Sequence, residues 1–175
     1  MAQTITTTST KGFVIGLILI ILALGTYLAN IKVNGPVQWF GYAVYIVGIM
    51  WSVNSYGKQV DYNSTFGNYF AHGFKVAAMV TAIMIIYLII FVVLFPSFKE
   101  DAIDQARKSM QEKNNLTPDQ ITQALVMTRK FFMVFLVGGT LVGYLIIGSL
   151  ASLVGAAITK KEPKKFVEDV NEIGR

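Results

Sequence analysis

Residues 76–95 read VAAMVTAIMIIYLIIFVVLF, twenty consecutive positions without a charge. At 1.5 Å per residue, a helix of that length matches the roughly 30 Å of hydrocarbon in a bilayer. The run is apolar on every side, so it is not the amphipathic helix of a soluble surface. Three further blocks share this character, at 13–29, 37–53 and 131–158. Lipid offers no partner to a free backbone amide, so each block has to be helical. The first two blocks are short and need Tyr27, Trp39, Tyr42 and Trp51 to complete a crossing. Such aromatics settle at the headgroup level. The expected fold is therefore all-α and integral to the membrane: one domain, 1–175, with four transmembrane helices.

Composition agrees. Charged residues are 14% of the chain against about 25% in soluble domains, hydrophobic residues are 54%, and mean hydropathy is +0.54. The absence of cysteine excludes disulfides, thiolate nucleophiles and cysteine metal sites. A formal charge of +5 raises nucleic acid as a partner, but the bases lie outside the apolar blocks and gather near the C-terminus. A membrane surface explains that distribution better, and no nucleic-acid partner is expected. The opening MAQTITTTSTKG with the apolar run from Phe13 could pass for a secretory signal peptide, but the run is too long for a typical h-region and only Lys11 supplies an n-region. We read it as a first span.

The connections are unequal. Asn34-Gly35-Pro36 predicts a tight turn between the first two spans. Between spans three and four, by contrast, stand more than thirty residues. After Pro96, Ser97 to Glu100 fits a capping box, and Phe98, Ala102, Ile103, Ala106 and Met110 recur at helical spacing. Thr117-Pro118-Asp119-Gln120 fits a second box. No breaker follows it, which predicts one helix from Pro118 to Ile158, roughly 60 Å long. The expectation is a helical hairpin at 97–130 projecting into water, its seam formed by Met110, Leu116, Ile121 and Leu125. Its outer face, with Lys99, Asp101, Lys108 and Glu112, is the expected partner surface. An even number of spans puts both termini on one side, with eight Lys and Arg there against seven on the other. Lys160 and Lys161 abut a span, which favours cytoplasmic termini.

DYNSTFGNYFAHGFK, residues 61–75, holds the lone histidine. Ser64 can cap a helix there, making the segment an amphipathic lead-in at the headgroup level with Lys75 snorkelling to water. Tyr69, His72 and Lys75 are the candidate functional residues. No carboxylate, serine or second histidine is placed by the sequence to complete a mechanism around His72, so packing or interface chemistry is favoured over catalysis. On that reading His72→Ala is nearly silent. The four blocks contain no Asp, Glu, Lys, Arg or His, which argues against a proton-coupled transporter. In the fourth block, Gly139, Gly143, Gly148, Ser152 and Gly155 suggest close helix packing. Gly12 and Gly16 suggest it more weakly. The basic tail 159–175, with Lys160, Lys161, Lys164 and Lys165, is expected to meet lipid headgroups. Neither a phosphate loop nor a carboxylate pair nor a zinc spacing is present, so no cofactor or metal is expected.

Tyr69, Phe70, Gly73, Phe74 and Lys75 form YF-x-x-GFK before the third span, with Pro96, Gly148 and Lys160-Lys161 further on. This pattern resembles a bacterial family known only as a domain of unknown function. The resemblance implies four membrane helices, a Pro-terminated third span, a polar helical insert and a Lys-rich end, and it carries no activity. The expected function is a non-catalytic accessory or scaffold subunit of a bacterial inner-membrane assembly. Membrane lipids and a membrane-protein partner, or a second copy, are the expected contacts. The competing expectation is a small-molecule or lipid-handling protein, such as a passive exporter or an aid to lipid-linked glycosyl transfer.

Overall fold

The computed structural model describes residues 7–29, 31, 36–112 and 117–159, which form six α-helices. Helix α1, Thr8–Leu28, is capped by the Thr7 hydroxyl, which accepts from the Thr10 amide at 3.3 Å. Helix α2, Pro36–Gln59, starts on proline, whose missing N–H costs nothing at a first turn. Helix α3, Phe66–Leu94, is capped by Thr65 rather than Ser64. Ser64 instead accepts from the Asn68 side chain at 3.1 Å. Helices α4 (Ser97–Glu112), α5 (Pro118–Lys130) and α6 (Phe132–Ile158) complete the order.

Helices α1, α3 and α6 are long and apolar enough to cross a membrane, and the chain is an all-helical membrane protein. Helix α2 is as long, but Tyr42, Tyr45, Ser52, Asn54, Ser55 and Tyr56 make it more polar. The helices outrun the apolar blocks, so α1 takes in Lys11, α2 takes in Lys58, and α3 takes in His72 and Lys75.

Close approaches fix the helix directions. Gly12 meets Met79 and Gly16 meets Ile83, so α1 and α3 run parallel. Gly48 meets Ile15, Gly73 meets Ser152, and Gly155 meets Val53, so α2 and α6 run the other way. The start of α1, the end of α2, the start of α3 and the end of α6 thus share one end of the molecule. The main core lies towards that end, where Tyr45, Ile49, Val53, Tyr69, Val76 and Val80 are fully buried. Leu28, Trp39, Val93 and Val134 are exposed outward, as lipid-facing residues should be.

Two expectations fail at α4–α6. Ser97 is the first residue of α4 and not its cap, because the chain turns into the helix directly after Phe95 and Pro96. The Phe98 amide bonds the Phe95 carbonyl at 3.1 Å, and the Lys99 amide bonds the Pro96 carbonyl at 3.2 Å. The Glu100 carboxylate pairs with Arg129 instead of closing a box. The helix from Pro118 to Ile158 is not continuous either. Phe131, at φ −105° and ψ 20°, separates α5 from α6. The ladder bridges this residue: its N–H bonds Met127 O and its carbonyl accepts from the Phe135 N–H, each at 2.9 Å. The irregularity lets α5 lean on α4, burying Leu125 and Phe132 with Ile103. At Thr117 the box does form, with Thr117 N–H on Gln120 Oε1 at 2.9 Å and Gln120 N–H on Thr117 Oγ1 at 3.4 Å. Met110 and Ile121 line the seam as expected. Leu116, the turn residues Asn34 and Gly35, and the tail Lys160, Lys161, Lys164 and Lys165 lie outside the described residues.

Candidate functional site

Where α1 and α3 begin and α2 ends, three helices bring polar side chains into an apolar interior. Thr8, Lys11, Ile15 and Leu19 lie along one face of α1 at spacings of three and four, so that face turns inward whole. Ser52 and Tyr56 are four apart on α2 and point the same way. His72 comes from α3 and sits between them. Its Nε2 is 3.3 Å from Ser52 Oγ, and its Nδ1 is 3.4 Å from Thr8 Oγ1. One ring nitrogen donates and the other accepts. The Tyr56 ring stacks on the imidazole at 4.4 Å between centroids and 9° between planes. Lys11, only 1% exposed, donates from Nζ to the Ser52 carbonyl at 3.4 Å.

This corrects the reading of the 61–75 segment. His72 is 8% exposed and clasped by two helices; it does not ride the polar edge of a surface helix. Gly73 explains why the segment sinks inward. A Cβ there would meet Ser152 Oγ and Val53 Cγ2, each at 2.7 Å, so only glycine lets α3 approach α6 and α2 so closely. Tyr69 is fully buried, edge-to-face with Tyr56 at 5.8 Å, and among the described residues its hydroxyl has no hydrogen-bond partner. Lys75 faces outward and is exposed. The Thr8–His72–Ser52 order has the outline of an oriented base and a hydroxyl nucleophile. Ser52, however, is fully buried, and a threonine stands where a carboxylate would stabilise the charged imidazole. The arrangement is built to tie α1, α2 and α3 together. No group of three or more His, Asp or Glu able to hold a metal occurs among the described residues.

The silent substitution expected from sequence therefore becomes a stability defect. His72→Ala removes two hydrogen bonds and a stacked ring, leaving Ser52 Oγ buried without its partner. The expected cost is about 1–3 kcal/mol, read as a lower unfolding temperature in mild detergent. An unchanged transition would contradict the clasp.

The small residues divide. A Cβ on Gly148 would lie 2.5 Å from the Tyr45 hydroxyl and 2.6 Å from Ala77 Cβ, and one on Gly155 would lie 3.3 Å from Val53. Ser152 is fully buried, its hydroxyl donating to the Gly148 carbonyl at 2.6 Å. Gly139 and Gly143, by contrast, have nothing within 4 Å. A Cβ on Gly12 or Gly16, the weaker pair by sequence, would lie 2.9 Å from Met79 and 3.0 Å from Ile83, respectively. On α4, Asp101, Lys108 and Glu112 are exposed, while Lys99 is half-buried with Nζ 5.8 Å from the centre of the Phe132 ring. Arg107 and Arg129 flank a groove between α4 and α5 whose floor includes Ile103, Ile121 and Leu125.

Thr8 and Lys11 were not legible as site residues, because the span was taken to start at Phe13, and Ser52 stood within the second block with nothing to mark it. For α1 the signal was present in the spacing of Thr8, Lys11, Gly12, Ile15 and Gly16, which marks one inward face beginning before Phe13. A family model described as a protein of unknown function (DUF4199) matches residues 10–161. The chain belongs to that family. In this DUF4199 protein the matched region holds Lys11, Ser52, Tyr56, Tyr69 and His72 as well as α4 and α5; Thr8 lies just outside it. No curated protein and no solved structure matches the chain.

Proposed function

We propose that the chain is a non-catalytic accessory or scaffold subunit of a bacterial inner-membrane assembly. In this reading α1, α2, α3 and α6 are four spans, both termini are cytoplasmic, and α4 with α5 projects into water on the other side as the partner-binding element. The observation that carries the reading is a second small core at α4 and α5, separate from the main one. Ile103 of α4 and Leu125 of α5 share it with Phe132 at the start of α6, Thr117 supplies a capping box, and Glu100 pairs with Arg129. A connector needs only a few residues. This pair is specified to fold at the end of the molecule remote from the main core.

The packed interior supports a scaffold over a passive exporter. Tyr45, Ile49, Val53, Tyr69, Val76 and Val80 fill the space between the helices with no exposure, where an exporter needs a path. The sealed hydroxyl of Ser52 supports a non-catalytic role.

Reporter fusions after Asn34, Gly57, Asn115 and Arg175 test the topology. The expected pattern is cytoplasmic signal at Gly57 and Arg175 and periplasmic signal at Asn34 and Asn115. A cytoplasmic signal at Asn115 would overturn the orientation. Co-purification of the full chain in mild detergent tests the role: a stoichiometric protein partner is expected, and bound lipid with no partner would favour lipid handling instead.

A further inference from the structure

We infer that Lys11, His72 and Thr8, with Lys75 at the rim, form a binding site for the phosphate of an anionic lipid headgroup. Lys11 carries three donors, is sealed at 1% exposure, and meets one carbonyl oxygen at the long distance of 3.4 Å. Among the described residues no carboxylate approaches it; the ion pair between Arg129 and Glu100 lies at the opposite end of the molecule. Asp61, the acid nearest His72 in the chain, is exposed in the turn between α2 and α3. The charges within reach of His72 are the cations of Lys11 and Lys75. A lone ammonium held in an apolar interior is costly unless it sheds its proton or an anion completes it.

The fold provides access. Side chains on a helix lean towards its N-terminus, and Lys11 sits about 4.5 Å below Thr8, three residues at 1.5 Å each. Its flexible stem can therefore raise the ammonium to the level of Thr8 and His72 with no backbone change. No acidic residue occupies the first turn of α1 or of α3, so the amides there add to the positive field.

Depth and surroundings assign the phosphate to a lipid. Helix α3 has 29 residues and spans about 43 Å, roughly 13 Å more than the hydrocarbon thickness. That excess is about nine residues, enough to hold Phe66 to Phe74, and so His72, at headgroup depth. Phe13 and Phe74 are exposed beside the cluster, 57% and 38%, as surfaces for acyl chains. Exposed Lys75 adds a second cation at the same level. Hydrogen bonds from charged donors make a preference of about tenfold for phosphatidylglycerol over phosphatidylcholine reasonable.

The test uses the full chain in nanodiscs of phosphatidylcholine with and without phosphatidylglycerol, reading retained lipid by native mass spectrometry and stability by thermal unfolding. The wild-type protein should retain phosphatidylglycerol about tenfold better and unfold at a higher temperature with it. Lys11→Met should lose both responses, and Lys11→Arg should keep them. If inorganic phosphate in plain phosphatidylcholine discs gives the same stabilisation, the anion site stands but its occupant is soluble, and the lipid assignment falls. A folded Lys11→Met protein with an unchanged lipid preference overturns the site. Should Lys11→Met not fold, phosphorus NMR of the wild-type nanodiscs decides: an immobilised phosphatidylglycerol phosphate is expected, and its absence overturns the proposal.

Discussion

Gly148→Val should loosen the joint between α2, α3 and α6 and lower the unfolding temperature by many degrees. The first added carbon would lie 2.5 Å from the Tyr45 hydroxyl and 2.6 Å from Ala77 Cβ. Neither neighbour can yield cheaply. Tyr45 is fully buried and donates to the Tyr144 carbonyl at 3.0 Å, and Ala77 Cβ is fixed to the α3 backbone. Overpacking of a tight core costs about 1–3 kcal/mol, and valine adds two further methyls to a site already in collision. Gly139→Val is the matched control on the same helix. Its Cβ would meet nothing within 4 Å, so a change of at most about 0.5 kcal/mol is expected. Thermal unfolding of the two variants side by side in one detergent decides the matter. Equal transitions would mean that α6 does not approach α2 and α3 as closely as Gly148 permits.

That contrast also shows what the sequence reveals. The apolar blocks at 76–95 and 131–158 needed no structure to be recognised as helices, since length and the absence of charge leave lipid as the one compatible solvent. Thr117-Pro118-Asp119-Gln120 was readable because a capping box is local, made and satisfied within four residues. Ser97 to Glu100 looked equally good and failed twice, because the helix already starts at Ser97 and because its acid is taken by a distant partner. Glu100 finds Arg129, twenty-nine positions away, and no local rule weighs that competitor. Small-residue spacing named Gly139, Gly143, Gly148 and Gly155 alike, yet two of the four face open space. Spacing identifies a stripe, and only the neighbouring helices decide which stripe is used. His72 suffered in the same way. Its partners Thr8 and Ser52 lie 64 and 20 residues away, on helices whose register the sequence does not state. Lys11 was missed because a charge was taken to mark the outside of a span, whereas here the helix begins one turn earlier and turns that charge inward.

The second large effect concerns the pair α4 and α5. Replacing residues 98–129 with a short Gly/Ser turn removes Ile103 and Leu125 from their shared core, the Glu100–Arg129 pair, and the charged outer face of Asp101, Lys108 and Glu112. The main core holds no residue of that segment, because Ile15, Leu19, Ile49, Val53, Val76, Val80 and Ala156 pack among α1, α2, α3 and α6. The shortened protein should therefore insert, accumulate and unfold nearly as the parent does. Partner binding should be lost. Binding through exposed charges is also screened over roughly 8–10 Å at physiological ionic strength, so retention by the parent should fall as salt is raised.

The decisive measurement is quantitative mass spectrometry of proteins co-purified with the full-length and shortened chains, from the same membranes and in the same mild detergent. A stoichiometric membrane-protein partner is expected with the full chain, and its loss by about tenfold with the shortened one at equal abundance. A shortened chain that inserts normally and retains every partner would contradict a binding role, and α4 with α5 would be a spacer.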